Sequence, residues 1–263
     1  PADPLAEEVL IPGFQVAAKV DCMVGFFSSG VLASLAPGLA TYIASSKNAF
    51  RLIVSPLLRK EDQAAMEAGL RSPEETAEKA VESLIVTEDL LQQHTLKCLS
   101  WLLLAGQMEF KIALMQDALF HPKVWLFSNG GDVLAAHGSS NVTYAGIRRN
   151  IEQIAVSRSW QDPNQRYIAD KLGYEFDRFW VNKQDNCHVI GLPEAVRLRI
   201  LKDYSVERPP SESELRSLYK RATGVAEDTV PYESPPIPSL GFAIPGWLEY
   251  EEGPFEHQGK AVA

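Results

Sequence analysis

The turn signature Asn129-Gly130-Gly131-Asp132 stands between two strand-like runs, Val124 to Phe127 and Val133 to His137, and limits the fold more than any other stretch. Asn and Gly accept the positive φ of a tight hairpin turn, so the two runs are expected to pair antiparallel. Upstream, Lys19 to Phe27 reads as a buried strand and Phe50 to Val54 as a second one. Between them Val31 to Ser46 is helical in pattern, and Pro37 must kink or split it. Two strands joined through a helix make a parallel unit. Met108 to Met115 and Ile151 to Val156 read as further strands. Asp162-Pro163 opens a helix on which Ile168, Leu172, Phe176 and Trp180 recur at spacings of four. Ser72-Pro73-Glu74-Glu75 carries the cap, proline and glutamate of a helix start running to about Val86, and Thr87 starts another that ends near Gly106. Together these predict an α/β/α sandwich, with a mixed, mostly parallel sheet flanked by helices.

Past Asn182 the character changes to short helical pieces, Pro193 to Tyr204 and Glu212 to Arg221, and then to a run holding Pro231, Pro235, Pro236 and Pro238. The expected organisation is one compact domain over 1–182, a helical appendage over 183–230, and a proline-rich linker entering a further domain over 231–263. At 263 residues, 46% hydrophobic and 22% charged, the composition is that of a globular protein rather than a disordered one. No apolar run is long enough to span a bilayer and the first twenty residues lack a signal-peptide layout, so no membrane partner and a cytoplasmic location are expected. Cys22, Cys98 and Cys187 are odd in number and far apart, which fits buried thiols better than a disulfide or zinc framework. The net charge of −9 opposes a polyanion unless it is unevenly spread. Acidic residues do crowd into Glu61 to Asp89 and Glu249 to Glu256, leaving Lys111, Lys123, Arg148, Arg149, Arg158 and Arg166 for a local basic surface.

The chemistry is concentrated at the two ends of the hairpin. His121-Pro122-Lys123 leads into its first strand and Gly138-Ser139-Ser140-Asn141 leaves its second. Side chains two apart in a strand share a face, so His121 and Lys123 are expected to project together, with the Gly-Ser turn folded alongside. An imidazole, an ammonium, hydroxyls and an amide converging in this way can hold a phosphate. Lys123 and Asn141 donate to its nonbridging oxygens, and His121 attacks phosphorus or transfers a proton. His-Pro-Lys alone occurs by chance and Gly-Ser-Ser-Asn alone is simply a good turn; the pair in this order, each on a strand-like run, is far more specific.

This ordered pair resembles the signature of the phospholipase D superfamily, His-x-Lys followed by Gly-Ser-x-Asn. The resemblance covers about residues 14 to 182 and includes Val24-Gly25-Phe26-Phe27-Ser28-Ser29. It implies a covalent phosphohistidine intermediate with no metal or other cofactor. His121 is then nucleophile or acid, Lys123 and Asn141 stabilise the phosphoryl oxygens, and Ser139 and Ser140 line the substrate pocket. The family often has Asp shortly after the Lys, whereas positions 124 to 128 are Val, Trp, Leu, Phe and Ser, and Asp132 reads as a turn residue. Some bacterial endonucleases of the superfamily carry an acidic residue downstream of the Asn instead. Glu152 occupies that place and is expected to orient the imidazole of His121. Arg148 and Arg149 are candidates for gripping a nucleic-acid backbone.

Since the chain has one signature copy where many relatives have two, a homodimer sharing one site is expected. The tail from Pro254 to Val262 resembles the glutamine motif of superfamily 2 helicases, where Phe255 and Gln258 would help recognise adenine. No phosphate-binding loop accompanies it, so ATP is expected only through a further motor domain. These resemblances imply a metal-independent DNA nuclease, the N-terminal part of a bacterial helicase-nuclease similar to restriction or antiphage defence proteins. Two other readings stay open: a phospholipase-type phosphodiesterase, and a catalytically silent nucleic-acid-binding or dimerisation module.

Overall fold

The computed structural model describes residues 5–25, 27, 31–55, 90–115, 120–141 and 152–193, with isolated positions 75, 118, 147, 208, 214, 217, 219 and 220. The helix expected from Ser72 to Val86, the pieces at Pro193 to Tyr204 and Glu212 to Arg221 apart from a few isolated positions, and the proline-rich tail lie outside the described residues.

Among the described residues seven strands form one sheet: β1 (Lys19–Val24), β2 (Phe50–Val54), β3 (Met108–Met115), β4 (Lys123–Asn129), β5 (Asp132–Gly138), β6 (Ile154–Arg158) and β7 (Cys187–Gly191). Their order is β6-β5-β4-β1-β2-β3-β7. The sheet is mixed as expected, but not mostly parallel. Only β1 with β2 and β2 with β3 run parallel, while the other four pairings are antiparallel. The hairpin accounts for part of this, since β4 docks antiparallel against β1 and carries β5 and then β6 outward from the sheet centre. β7 lies beyond the expected boundary at 182, yet pairs with β3 from Met115↔Cys187 to Lys111↔Gly191.

Both faces of the sheet are covered. A π-helical turn (Ala6–Leu10) runs into α1 (Ile11–Val16), and with α2 (Val31–Ser34), α3 (Ala36–Ser45) and α4 (Leu90–Leu104) it packs on one face. There Phe14 meets Tyr42, Phe50, Trp125 and Phe127 edge-on. Tyr219 is buried in this same core and its hydroxyl donates to Glu7 at 2.9 Å. The helical stretch splits at Leu35, with Pro37 in the first turn of α3 where its missing N–H costs nothing. The left-handed Gly106 (φ 67°) follows α4. Cys22 and Cys187 are buried free thiols and Cys98 is a half-buried one.

α5 (Pro163–Trp180) covers the other face, capped by the Asp162 carboxylate, which accepts from the N–H groups of Asn164 and Gln165. It buries Ala169, Phe176 and Trp180 against Met23, Ile53, Val124, Leu126 and Ala135. An ion cluster sits under its C-terminal half. Asp21, 4% exposed, lies directly across the β1–β2 ladder from Arg51 and accepts its Nε and Nη2 at 2.6 and 2.7 Å. Arg51 also donates to Asp177 at 2.9 Å and lies over the Phe176 and Trp180 rings, 4.8 and 5.1 Å from their centroids. The planar guanidinium can stack and bond at once, which suits it to this seam. Removing one member of a buried pair strands the other, so Asp21→Ala should cost roughly 3 kcal/mol. Asp177, largely exposed, should cost less than about 1 kcal/mol when changed to Ala. Equilibrium urea unfolding followed by tryptophan fluorescence compares the two.

Candidate active site

The His-Pro-Lys segment enters the sheet at its centre. Lys123 begins β4 opposite Val24, and one step further the Gly25 N–H donates to the Pro122 carbonyl at 3.0 Å. On the other side Val124 pairs with His137, so β5 ends beside the start of β4. His121 and Lys123 are brought together differently from the expected pleat. The strand starts only at Lys123, and the Lys123 ammonium turns back to donate to the His121 carbonyl at 3.1 Å. Lys123 is 8% exposed, while His121 is exposed. Burial pushes the Lys123 pKa below the ordinary lysine value, and the Glu152 carboxylate acts in the opposite direction.

The Gly-Ser turn is fastened to the segment before β6. Gly138 pairs with Ile154 so closely that a Cβ on it would lie 1.9 Å from the Gln153 carbonyl oxygen. Only glycine fits this approach. The Ser139 N–H donates to that carbonyl at 3.0 Å, and the Ser139 hydroxyl accepts from the Gln153 N–H at 2.9 Å while donating to the Glu152 carboxylate. Ser139, expected as a substrate contact, thus directs its one hydroxyl proton to Glu152. Glu152 lies before β6, and the links described for it run to Ser139 and, through space, to Lys123.

Ser140 is 3% exposed, with its hydroxyl 3.4 Å from the Asn141 carbonyl. Asn141 is half-buried, and its Oδ1 is enclosed without a hydrogen-bond partner among the described residues. Such an atom is unusual in a folded protein. Rotating the amide by half a turn would present its NH2 at the same position.

Arg148, Arg149, Phe255 and Gln258 lie outside the described residues. The basic surface expected from the central cations shrinks where it is described. Lys123 and Arg158 are buried, and Lys111 donates to the Trp180 carbonyl at 2.8 Å with its ammonium over the Trp180 ring. Arg166 remains at the surface, 3.7 Å from Asp132. Asp132 is a turn residue as expected, paired with Asn129 across Gly130 and Gly131, whose φ values are 57° and 95°. Among the described residues no group of three His, Cys, Asp or Glu side chains could hold a metal ion, and no helix is long and apolar enough to cross a membrane. Sequence reasoning missed one neighbour of the imidazole. Gly25 reads as part of the opening strand, although a glycine at a strand end signals a close approach, and a Cβ on it would lie 2.7 Å from Cδ2 of His121.

No family model and no curated protein matches the chain. Among solved structures it is similar to phosphatidylserine synthase from Haemophilus influenzae Rd KW20, at 16% identity and a TM-score of 0.41 over 74% of this chain and 41% of that one. It is also similar to NucT from Helicobacter pylori, at 10% identity and a TM-score of 0.35 over 70% of this chain and 91% of that one. The chain thus spans less than half the length of the synthase. At this distance the likenesses carry no chemistry across.

The Lys123–Glu152 coupling has a measurable sign. In Glu152→Gln the amide can still accept from Ser139, but the charge that holds up the Lys123 pKa is gone, so the ammonium should lose its proton at lower pH. Trinitrobenzenesulfonate labelling of Lys123 against pH, read by peptide mass, should show its midpoint move down relative to wild type.

Proposed function

We propose that the chain is a phosphodiesterase of the phospholipase D kind that cleaves DNA without a metal, through a phosphohistidine at a site shared by two subunits. The observation that carries this reading is Lys123, enclosed at the start of β4 with its ammonium bonded to the carbonyl of the residue that supplies the imidazole. A buried cation is costly unless anions compensate it. Glu152 supplies part of that compensation, and a phosphodiester would supply more while meeting His121.

In this scheme an imidazole nitrogen of His121 attacks phosphorus and the bond to the leaving oxygen breaks. Lys123 and Asn141 stabilise the charge on the nonbridging oxygens. The leaving oxygen takes a proton from His121 of the partner subunit, which then draws a proton from water as that water attacks the phosphohistidine. A phosphomonoester leaves and His121 is restored. Glu152, held by Ser139, sets the local charge. Ser140 completes the pocket wall, and Arg148 and Arg149 grip the DNA backbone. Only His121 among the five histidines lies in a His-x-Lys motif, which is why a second subunit is invoked. Phe255 and Gln258 contribute to adenine recognition only beside a motor domain, in a helicase-nuclease of defence type.

Purified chain incubated with plasmid, single-stranded DNA, RNA and a chromogenic phosphodiester should cleave equally well with and without EDTA. His121→Ala should lose on the order of 10³-fold or more in rate. Arg148→Ala should mainly weaken binding and flatten its salt dependence. Activity abolished by EDTA and restored by magnesium would overturn the scheme, as would full activity in His121→Ala. Sedimentation should show a dimer, and hybrids with His121→Ala chains should be impaired. A strict monomer cleaving at full rate would remove the shared site.

A further inference from the structure

Gly25 makes no demand on backbone freedom. Among the described residues the glycines with positive φ are Gly106, Gly130 and Gly131, so Gly25 occupies a conformation open to other amino acids. What it lacks is room. A Cβ built on it would lie 2.7 Å from Cδ2 of His121, 3.2 Å from the Phe120 carbonyl oxygen and 3.3 Å from the His121 Cα. The first distance is shorter than carbon atoms tolerate; the other two are tight contacts that small adjustments can relieve. Gly25 is also fixed in place, buried at the end of β1 with its N–H on the Pro122 carbonyl. One hydrogen bond therefore ties the end of β1 to the loop carrying the imidazole, which leaves the backbone there room for small adjustments only.

We infer that Gly25 is a positioning residue for His121: its bare Cα is the floor on which the imidazole rests, and the ring's orientation depends on position 25 having no side chain. This rests on the proposed role of His121 as the reacting group, but the contact itself does not. His121 is exposed whereas Gly25 is buried and held in the sheet, so the least costly response to a methyl group at position 25 is rotation of the ring about its side-chain bonds rather than disruption of the sheet. The expected signature is thus a loss of turnover out of proportion to any loss of stability. Reaction geometry is unforgiving: a misplacement of about 1 Å can cost on the order of 100-fold in rate.

The test compares wild type, Gly25→Ala, His121→Ala and the double variant. Imidazole proton–nitrogen correlation spectra report ring environment, with His121→Ala assigning the His121 signals and His188, on β7 at the far side of the sheet, serving as an internal reference. In Gly25→Ala the His121 signals should move and those of His188 stay. On a chromogenic phosphodiester kcat should fall on the order of 10- to 100-fold with KM within about threefold, and the melting temperature should change little.

Unmoved His121 signals overturn the inference even if kcat falls, since the methyl group then acts elsewhere. Moved signals with unchanged kcat also overturn it, because the ring position would not matter to the reaction. If wild type turns over no phosphodiester yet the signals move, the nuclease reading fails and the contact between Gly25 and the ring stands. Should Gly25→Ala not fold, the double variant decides: recovery of folding when the imidazole is removed supports the assignment, whereas no recovery places the conflict with the Phe120 carbonyl and overturns it.

Discussion

The register of β4 is the constraint on which the rest of the site depends. On one edge Lys123 faces Val24 and on the other Val124 faces His137, so one strand sets where the His-Pro-Lys segment begins and where the Gly-Ser turn leaves. A slip of one residue would exchange Trp125 and Phe127 with Val124 and Leu126 between the two cores. The aromatic pair packs against Phe14 on one face and the aliphatic pair against α5 on the other, so the exchange would overpack the α5 side and leave cavities around Phe14. Side-chain volume far from the chemistry thus holds the reacting groups in line.

The ion cluster beneath α5 has a different task. Two covered faces make a uniformly apolar seam that could accept a helix in several rotations. Asp21 and Arg51 break that uniformity by needing each other across the ladder, and Arg51 in turn needs Phe176, Trp180 and Asp177 on one side of one helix. Buried ion pairs are modest contributors to net stability, but they penalise misplacement strongly.

Much of the fold was legible where one local rule decides. The hairpin followed from its turn residues, β3 from its apolar run, the break before α3 from Pro37, and α5 from the Asp162 cap and the fourfold spacing ending in Trp180. What escaped depends on partners distant in sequence. The balance of parallel and antiparallel pairs is set by β4 inserting beside β1, and β7 joins through a reach back to β3. The helical N-terminal segment carries Pro12-Gly13 inside it, which disguises its apolar spacing, and it is held by its packing in the first core rather than by its own propensity. At the site the residue types were readable from the motif, but their connections were not. The Ser139–Glu152 bond, the return of Lys123 to the His121 carbonyl and the floor at Gly25 are contacts of geometry, and no spacing rule announces them.

The meeting of Gly138 with the Gln153 carbonyl has an evolutionary consequence. Any single-base change in a glycine codon that alters the residue introduces a Cβ or a stop, so position 138 has no permitted neighbour in mutational space. Relief cannot come from position 153 either. The obstructing atom is a main-chain oxygen, which every amino acid carries, and no second-site substitution there removes it. A substitution of the side chains around the turn does not meet this obstruction, but the glycine itself can be released only by rebuilding the path of the chain between β5 and β6.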